Sequence, residues 1–117
     1  MVLVDSSVWV DHFHRADRRL VELLQNGEVF THPLVIGELA CGALVARQTT
    51  LSLLHALPCA EVASEGETLA LIERGRLFGA GLGIVDAHLL ASMLLTDVEL
   101  WTRDRALARA ATRLRRG

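Results

Sequence analysis

Four acidic residues stand where their neighbours give no reason for charge. Asp5 follows directly on the apolar run MVLV, and Asp104 comes just past Thr102 after the strand-like ELW. Glu38 lies in VIGELACG, with no charged residue nearer than Glu28 before it or Arg47 after it. Asp86 lies in GIVDAHLLAS, where the next charge onward is Asp97. Neither Glu38 nor Asp86 has an arginine within four residues to pair with on its own helix. Burying unpaired carboxylates is costly, and four gathered in one place repel one another. A divalent cation removes the conflict. Oxygen ligands without His or Cys select Mg²⁺, or Mn²⁺ as a substitute, over zinc. A cation held by carboxylates can acidify and orient a water and stabilise charge on a phosphodiester under attack.

Three of these acids have a plainer alternative. Asp5 or Ser6 can cap the helix that follows, Asp104 or Thr102 can cap the last helix, and Asp86 lies near enough to a helix start to do the same. Glu38 resists that reading because it is well inside its helix. The combination of two strand-end acids, one mid-helix acid and one acid after a glycine-rich turn is what favours a site.

The elements that must position these residues alternate between short β-like runs and helical ones. Val2 to Val4 reads as a strand and Ser7 to Phe13 as a short helix. Asp17 to Gln25 reads as a second helix, stopped by Asn26-Gly27. Glu28 to Thr31 is the second strand. Pro33 suits a first helical turn, and LVIGELACGALVAR continues it as one largely apolar helix. Leu51 to Leu57 forms a shorter helix closed by Pro58, and Ala60 to Val62 a brief strand. Ser64 with Glu67 matches a capping box, opening a helix that runs through Arg76 and ends at Gly79. A glycine-rich turn then leads into the helix IVDAHLLASMLL, the strand Glu99 to Trp101 and a last helix from Asp104 to Arg115.

Strands separated by helices imply a parallel sheet covered on both faces, because parallel neighbours need a helical crossover. Sites in such sheets gather at the carboxyl ends of the strands, where Asp5 and Asp104 both arrive. The 117 residues, 51 % hydrophobic and 22 % charged, fit one domain spanning 1–117 with no linker. No apolar run approaches a membrane span, and Asp5 with no basic segment before it argues against a secretory signal, so a cytoplasmic protein is expected. Cys41 and Cys59 show no metal or disulfide spacing and read as small apolar residues in a reduced compartment.

LVDSSVWVDHF, HPLVIGELACG, LGIVDAHLLAS and LWTRD resemble, in order and spacing, the four motif blocks of a PIN domain, and specifically those of the VapC toxins of type II VapBC toxin–antitoxin systems. The resemblance covers essentially the whole chain. It implies an α/β/α sandwich around a short, mainly parallel sheet and a Mg²⁺-dependent endoribonuclease held in check by a VapB-type antitoxin. It also implies a homodimer. Carried over residue by residue, the family's acidic quartet falls on Asp5, Glu38, Asp86 and Asp104. Asp5 and Asp86 are the expected direct metal ligands, with Glu38 and Asp104 at a second site or acting through water. Ser6, Ser7 and Thr102 match supporting hydroxyl positions. A binding module without catalysis, directed at RNA or at a protein, is the alternative, and a small Mg²⁺-dependent phosphohydrolase is a third reading.

The net charge of −2 conceals an asymmetry. Lysine is absent, and the segment from Arg103 to Gly117 carries six arginines against the single Asp104, leaving six arginines against thirteen acids in the rest. Arg105, Arg109 and Arg113 recur at four-residue spacing on one helix face; together with Arg103 they are candidates for binding RNA phosphates, the alternative being a solvated face. Trp9 and Phe13 also share a helix face, which reads as core; the resemblance implies the competing use of an apolar groove for the antitoxin. The GAGLG run, Gly79 to Gly83, lacks the frame of a dinucleotide loop and reads as helix termination plus an approach to Asp86. His12, His14 and His88 are too dispersed for a metal triad.

Overall fold

The computed structural model describes all residues, Met1–Gly117. Val2, Leu3 and Val4 form β1 and are all buried, as expected of a strand covered on both faces. It is the centre of a three-stranded parallel sheet with order β2-β1-β3, where β2 is Val29–Phe30 and β3 is Glu99–Trp101. Val2 pairs with Val29 on one side and Glu99 on the other, and Val4 pairs with Trp101.

The chain leaves β1 through α1 (Ser6–His14) and α2 (Arg18–Gln25) to reach β2. It then passes through α3 (Pro33–Ala40), α4 (Arg47–His55), α5 (Glu65–Arg74) and α6 (Ile84–Thr96) to β3 on the opposite edge, and α7 (Arg105–Arg115) follows. The chain therefore leaves β1 toward one edge and returns along the other, which makes the carboxyl ends of β1 and β3 the place where a site is expected in such a sheet. One contiguous core holds the sheet to the helices, with Leu3, Val4, Val8, Leu20, Val35, Leu89, Leu90, Met93 and Leu107 fully enclosed.

The α/β sandwich expected from the sequence is present, with four local differences. The apolar run after Pro33 is not one helix. It stops at Ala40 and resumes at Arg47, after Ala46 takes a left-handed conformation at φ 49°. Gly37 and Gly42 weaken the helix there, and the Arg47 guanidinium donates to the carbonyls of Ala40 and Gly42, capping the end. The brief strand at Ala60 to Val62 reduces to a single parallel bridge between Thr31 and Cys59, because the Glu61 N–H is drawn to Thr96 Oγ1 at 2.9 Å. The Ser64–Glu67 capping box forms as expected. Its helix, however, ends at Arg74, four residues short of Phe78, with Arg76 at φ 52° and the Leu77 N–H closing onto the Ile72 carbonyl. Finally, both cysteines are exposed, so neither serves as core packing.

Candidate active site

The carboxyl end of β1 delivers Asp5 to the N-cap position of α1, yet its side chain does not cap that helix. The carboxylate is buried at 7 % exposure and is held by hydroxyls instead. Ser7 Oγ donates to Oδ2 at 2.8 Å and Thr102 Oγ1 to the same oxygen at 2.7 Å, while Ser6 Oγ lies 3.5 Å from Oδ1. The Asp5 N–H bonds the Trp101 carbonyl at 2.9 Å, which fixes the end of β1 against the end of β3.

The same hydroxyls tie in two of the other acids. Ser6 Oγ donates to Glu38 Oε1 at 2.9 Å, bringing α3 to the start of α1. Thr102 Oγ1 accepts the Asp104 N–H at 3.0 Å, and Ser7 Oγ accepts the Arg103 N–H at 3.0 Å. Asp104 Oδ1 caps α7 through the Leu107 N–H at 2.9 Å. Asp86 stands outside this network; its Oδ2 accepts the Gly83 N–H at 3.0 Å at the head of α6. The turn before it packs beside the first turn of α7, where a Cβ at Gly81 would lie 3.9 Å from Ala106 Cβ.

The capping alternative thus holds in part: Asp104 and Asp86 both satisfy helix-terminal N–H groups, while Asp5 does not. The expectation of buried charge also needs correction. Asp5 alone is buried; Asp86 is half-buried, and Glu38 and Asp104 are exposed.

The donor set fits a hard cation. None of the four carboxylates is paired with an arginine. Glu38 Oε2, Asp86 Oδ1 and Asp104 Oδ2 accept no hydrogen bond from the protein, and Asp5 Oδ1 has only the long Ser6 contact. No three His, Cys, Asp or Glu side chains are grouped so as to hold an ion by themselves. Mg²⁺ asks for less than such a cage, since it is commonly bound by one or two carboxylates, with waters and substrate phosphate completing its shell.

The PIN-domain family model matches residues 2–113. The chain belongs to the PIN-domain family. Within it, this PIN domain is 50 % identical over 111 residues to Ribonuclease VapC32 of Mycobacterium tuberculosis, found in two strains, covering 94 % of this chain and 90 % of the relative. That similarity places it in the VapC family. PAE2754 of Pyrobaculum aerophilum, known from its crystal structure, shares the fold at a TM-score of 0.63 and 19 % identity, over 94 % of this chain and 78 % of the other.

Of the arginines singled out in this PIN domain, Arg103 is committed elsewhere. Its Nε donates to Asp11 Oδ2 and its terminal nitrogen to Asp17 Oδ2, each at 3.2 Å, and its guanidinium lies 5.5 Å from the centre of the Trp101 ring. Sequence reasoning missed this link because Asp11 and Asp17 read only as a helix surface and a helix start. Asp17 also caps α2 through the Leu20 N–H, which with the Arg103 charge holds its carboxyl below the usual range despite some desolvation. Arg105, Arg109 and Arg113 form no ion pair, although Arg113 donates to the Gly75 carbonyl.

The PIN domain also holds an enclosed histidine that the motif blocks did not single out. His32 is fully buried; its Nδ1 caps α3 by accepting the Leu34 N–H at 3.0 Å, and its Nε2 is 3.1 Å from Ser92 Oγ. Accepting at Nδ1 requires Nε2 to carry the proton and donate to Ser92. Burial, then the charge of His88, holds its pKa below the ordinary value. The one available signal was its position just before Pro33, where an N-cap belongs. His12 and His88 are hydrogen-bonded to the Asp17 N–H and to Thr68, and His14 is exposed.

Trp9 is buried and Phe13 is 42 % exposed, their ring centres 5.9 Å apart. They line a groove of about 410 Å³ with His12, Leu24, Thr50, Leu53 and Leu57. A second hollow of about 480 Å³ runs from Phe13 and Val10 past Val45 to Glu38. The apolar surface therefore reaches the edge of the acidic site.

Proposed function

We propose that this VapC-family PIN domain is a Mg²⁺-dependent endoribonuclease, the toxin of a type II toxin–antitoxin pair, neutralised by a VapB-type antitoxin. The observation that carries the reading is Asp5: a buried carboxylate held by the Ser7 and Thr102 hydroxyls, with no arginine to offset its charge, in a chain half identical to a named ribonuclease. Asp5 and Asp86 would hold the ion directly, with Glu38 and Asp104 binding a second ion or acting through water; Mn²⁺ has the same oxygen preference. When bound, the ion would acidify a water and offset the charge that develops on the phosphodiester.

The chain's own residues prepare that chemistry. Ser7 and Thr102 saturate Oδ2 of Asp5 and fix the plane of its carboxylate, so that Oδ1 is the oxygen left for a ligand. Ser6 fixes Glu38 in the same way from the other side. With a water as the attacking group, no side chain need become covalently attached to the RNA.

The apolar groove beside Glu38 suits an antitoxin segment. A chain seated against Phe13, Leu53 and Val45 would cover surface that is otherwise exposed and would end at the acidic site. Self-association as a homodimer belongs to the same reading.

The absence of three converging ligands favours a second reading, a PIN module that binds RNA or protein without cutting. Four acids facing RNA phosphates without a cation would repel them, which weighs against it. Calorimetric titration with Mg²⁺ and Mn²⁺ separates the two. The ribonuclease reading expects binding that weakens at least tenfold in Asp5→Asn and Glu38→Gln; a folded protein that takes up neither ion supports the non-catalytic module.

A further inference from the structure

The arginines of α7 divide into two sets. Arg115 is engaged by Asp97 and the Val98 carbonyl, as Arg103 is by Asp11 and Asp17 in the turn before the helix. Arg105, Arg109, Arg113 and Arg116 have no acidic partner. The helix buries Leu107, Ala110 and Ala111 against the core, which turns Arg105, Arg109 and Arg113 outward together. Arg109, Thr112, Arg113 and Arg116 line a shallow hollow of about 520 Å³ with no acid in its wall. On its far side, Glu99 and Arg115 line a different hollow with Arg116.

We propose that this face of α7 is a phosphate-binding track that holds the RNA strand beside the acidic site; the proposal rests on the ribonuclease reading above and names the surface its substrate would occupy.

Three observations carry it. The track begins next to Asp104, the N-cap of the same helix, so any strand lying along it reaches the acidic site at a fixed point. Arginines four residues apart are separated by about 6 Å along a helix, a step comparable to that between successive phosphates of an extended strand. The segment from Arg103 to Gly117 carries six arginines against one acid while the rest carries six against thirteen, which concentrates on this helix the sign a polyanion needs. A solvated arginine face would ordinarily be laced with acids, as Arg103 and Arg115 are, and this one is not.

The test is RNA binding in EDTA, where the proposed cleavage chemistry is stopped, using a fluorescein-labelled 20-nucleotide uridine RNA. Affinity would be measured by anisotropy across a salt series for the wild type, for Arg109→Gln with Arg113→Gln, and for a charge-matched control, Arg15→Gln with Arg18→Gln. Circular dichroism verifies that each variant folds. Removing two phosphate contacts is expected to flatten the log–log salt slope by about 1.4, since each contact to a single strand contributes about 0.7. The control is expected to keep the wild-type slope. An unchanged slope in the α7 variant, an equal loss in the control, or no RNA binding by the wild type at low salt would each overturn the proposal. Failure of the ribonuclease reading is distinguishable, because it would appear as no cutting with Mg²⁺ while the α7-dependent salt slope remained.

Discussion

Thr102 Oγ1 donates a 2.7 Å hydrogen bond to Asp5 Oδ2 across 97 positions of sequence. The parallel pairing of β1 with β3, ending with Val4 opposite Trp101, is what puts the two side by side. Thr102→Val keeps the shape and removes the donor. A hydrogen bond to a charged group contributes roughly 1.5–3 kcal/mol. If that bond is what orients Asp5 during the reaction, the single-turnover rate of RNA cleavage should fall about 10- to 100-fold with little change in affinity. A variant that cuts at the wild-type rate would remove Thr102 from the site.

Arg103 straps the turn carrying Thr102 and Asp104 to α1 and α2 through Asp11 and Asp17. Its ion pairs are exposed at Asp11 and partly exposed at Asp17, so Arg103→Gln should cost about 1 kcal/mol of stability. The turn would nevertheless loosen, and turnover should drop several-fold. Asp11→Asn with Asp17→Asn should reproduce that drop if Arg103 acts by positioning. If Arg103 instead contacts RNA directly, freeing it from the two acids should tighten RNA binding, and the two experiments would diverge.

The four acids stood out in the sequence because each sits next to a feature that periodicity exposes, a strand end, an apolar helix or a glycine-rich turn; the hydroxyl network joins Asp5, Glu38 and Asp104 and leaves Asp86 outside it. The capping box at Ser64 was equally legible, since it depends on residues three apart. What the sequence hid is tertiary. Arg103 finds Asp11 and Asp17 only after β3 returns beside β1, and His32 meets Ser92 only when α6 packs against the start of α3. Hydrophobic periodicity also overran the end of α3, because the break at Cys41 to Ala46 depends on a left-handed alanine and an arginine cap, neither of which carries a periodic signal. Apolar neighbours likewise suggested more burial for Glu38, which is exposed.

His32 makes stability depend on pH. Burial, then His88, keeps its folded pKa below the ordinary 6.5. The unfolded chain therefore takes up a proton that the folded chain refuses. This contribution is fully present above the unfolded value and is lost as pH falls through the lowered folded value. His32→Asn retains an N-cap acceptor but leaves Ser92 without its donor and opens a small cavity, costing about 2–3 kcal/mol near neutral pH. Its Tm should also fall less between pH 7 and pH 5 than that of the wild type, within about the titration range of histidine. Parallel Tm curves for the two proteins would show that His32 does not titrate as argued.

If an antitoxin segment occupies the groove at Phe13, this residue separates RNA cleavage from its inhibition. Its ring is 42 % exposed, so Phe13→Asp should fold and keep its RNA cleavage. Loss of an aromatic anchor from a buried interface commonly costs 2 kcal/mol or more, which is roughly 30-fold in affinity. The variant should therefore escape a VapB-type antitoxin in a cleavage-inhibition titration. Undiminished inhibition would move the antitoxin away from this groove.

The most direct test of the account is the fate of total cellular RNA incubated with the purified chain, in Mg²⁺ and in EDTA, with Asp5→Asn run in parallel and new 5′ ends mapped. The expected result is discrete cuts that require Mg²⁺ and are absent from a folded Asp5→Asn protein. Equal cutting by that variant, cutting in EDTA, or no cutting by the folded wild-type protein would contradict it.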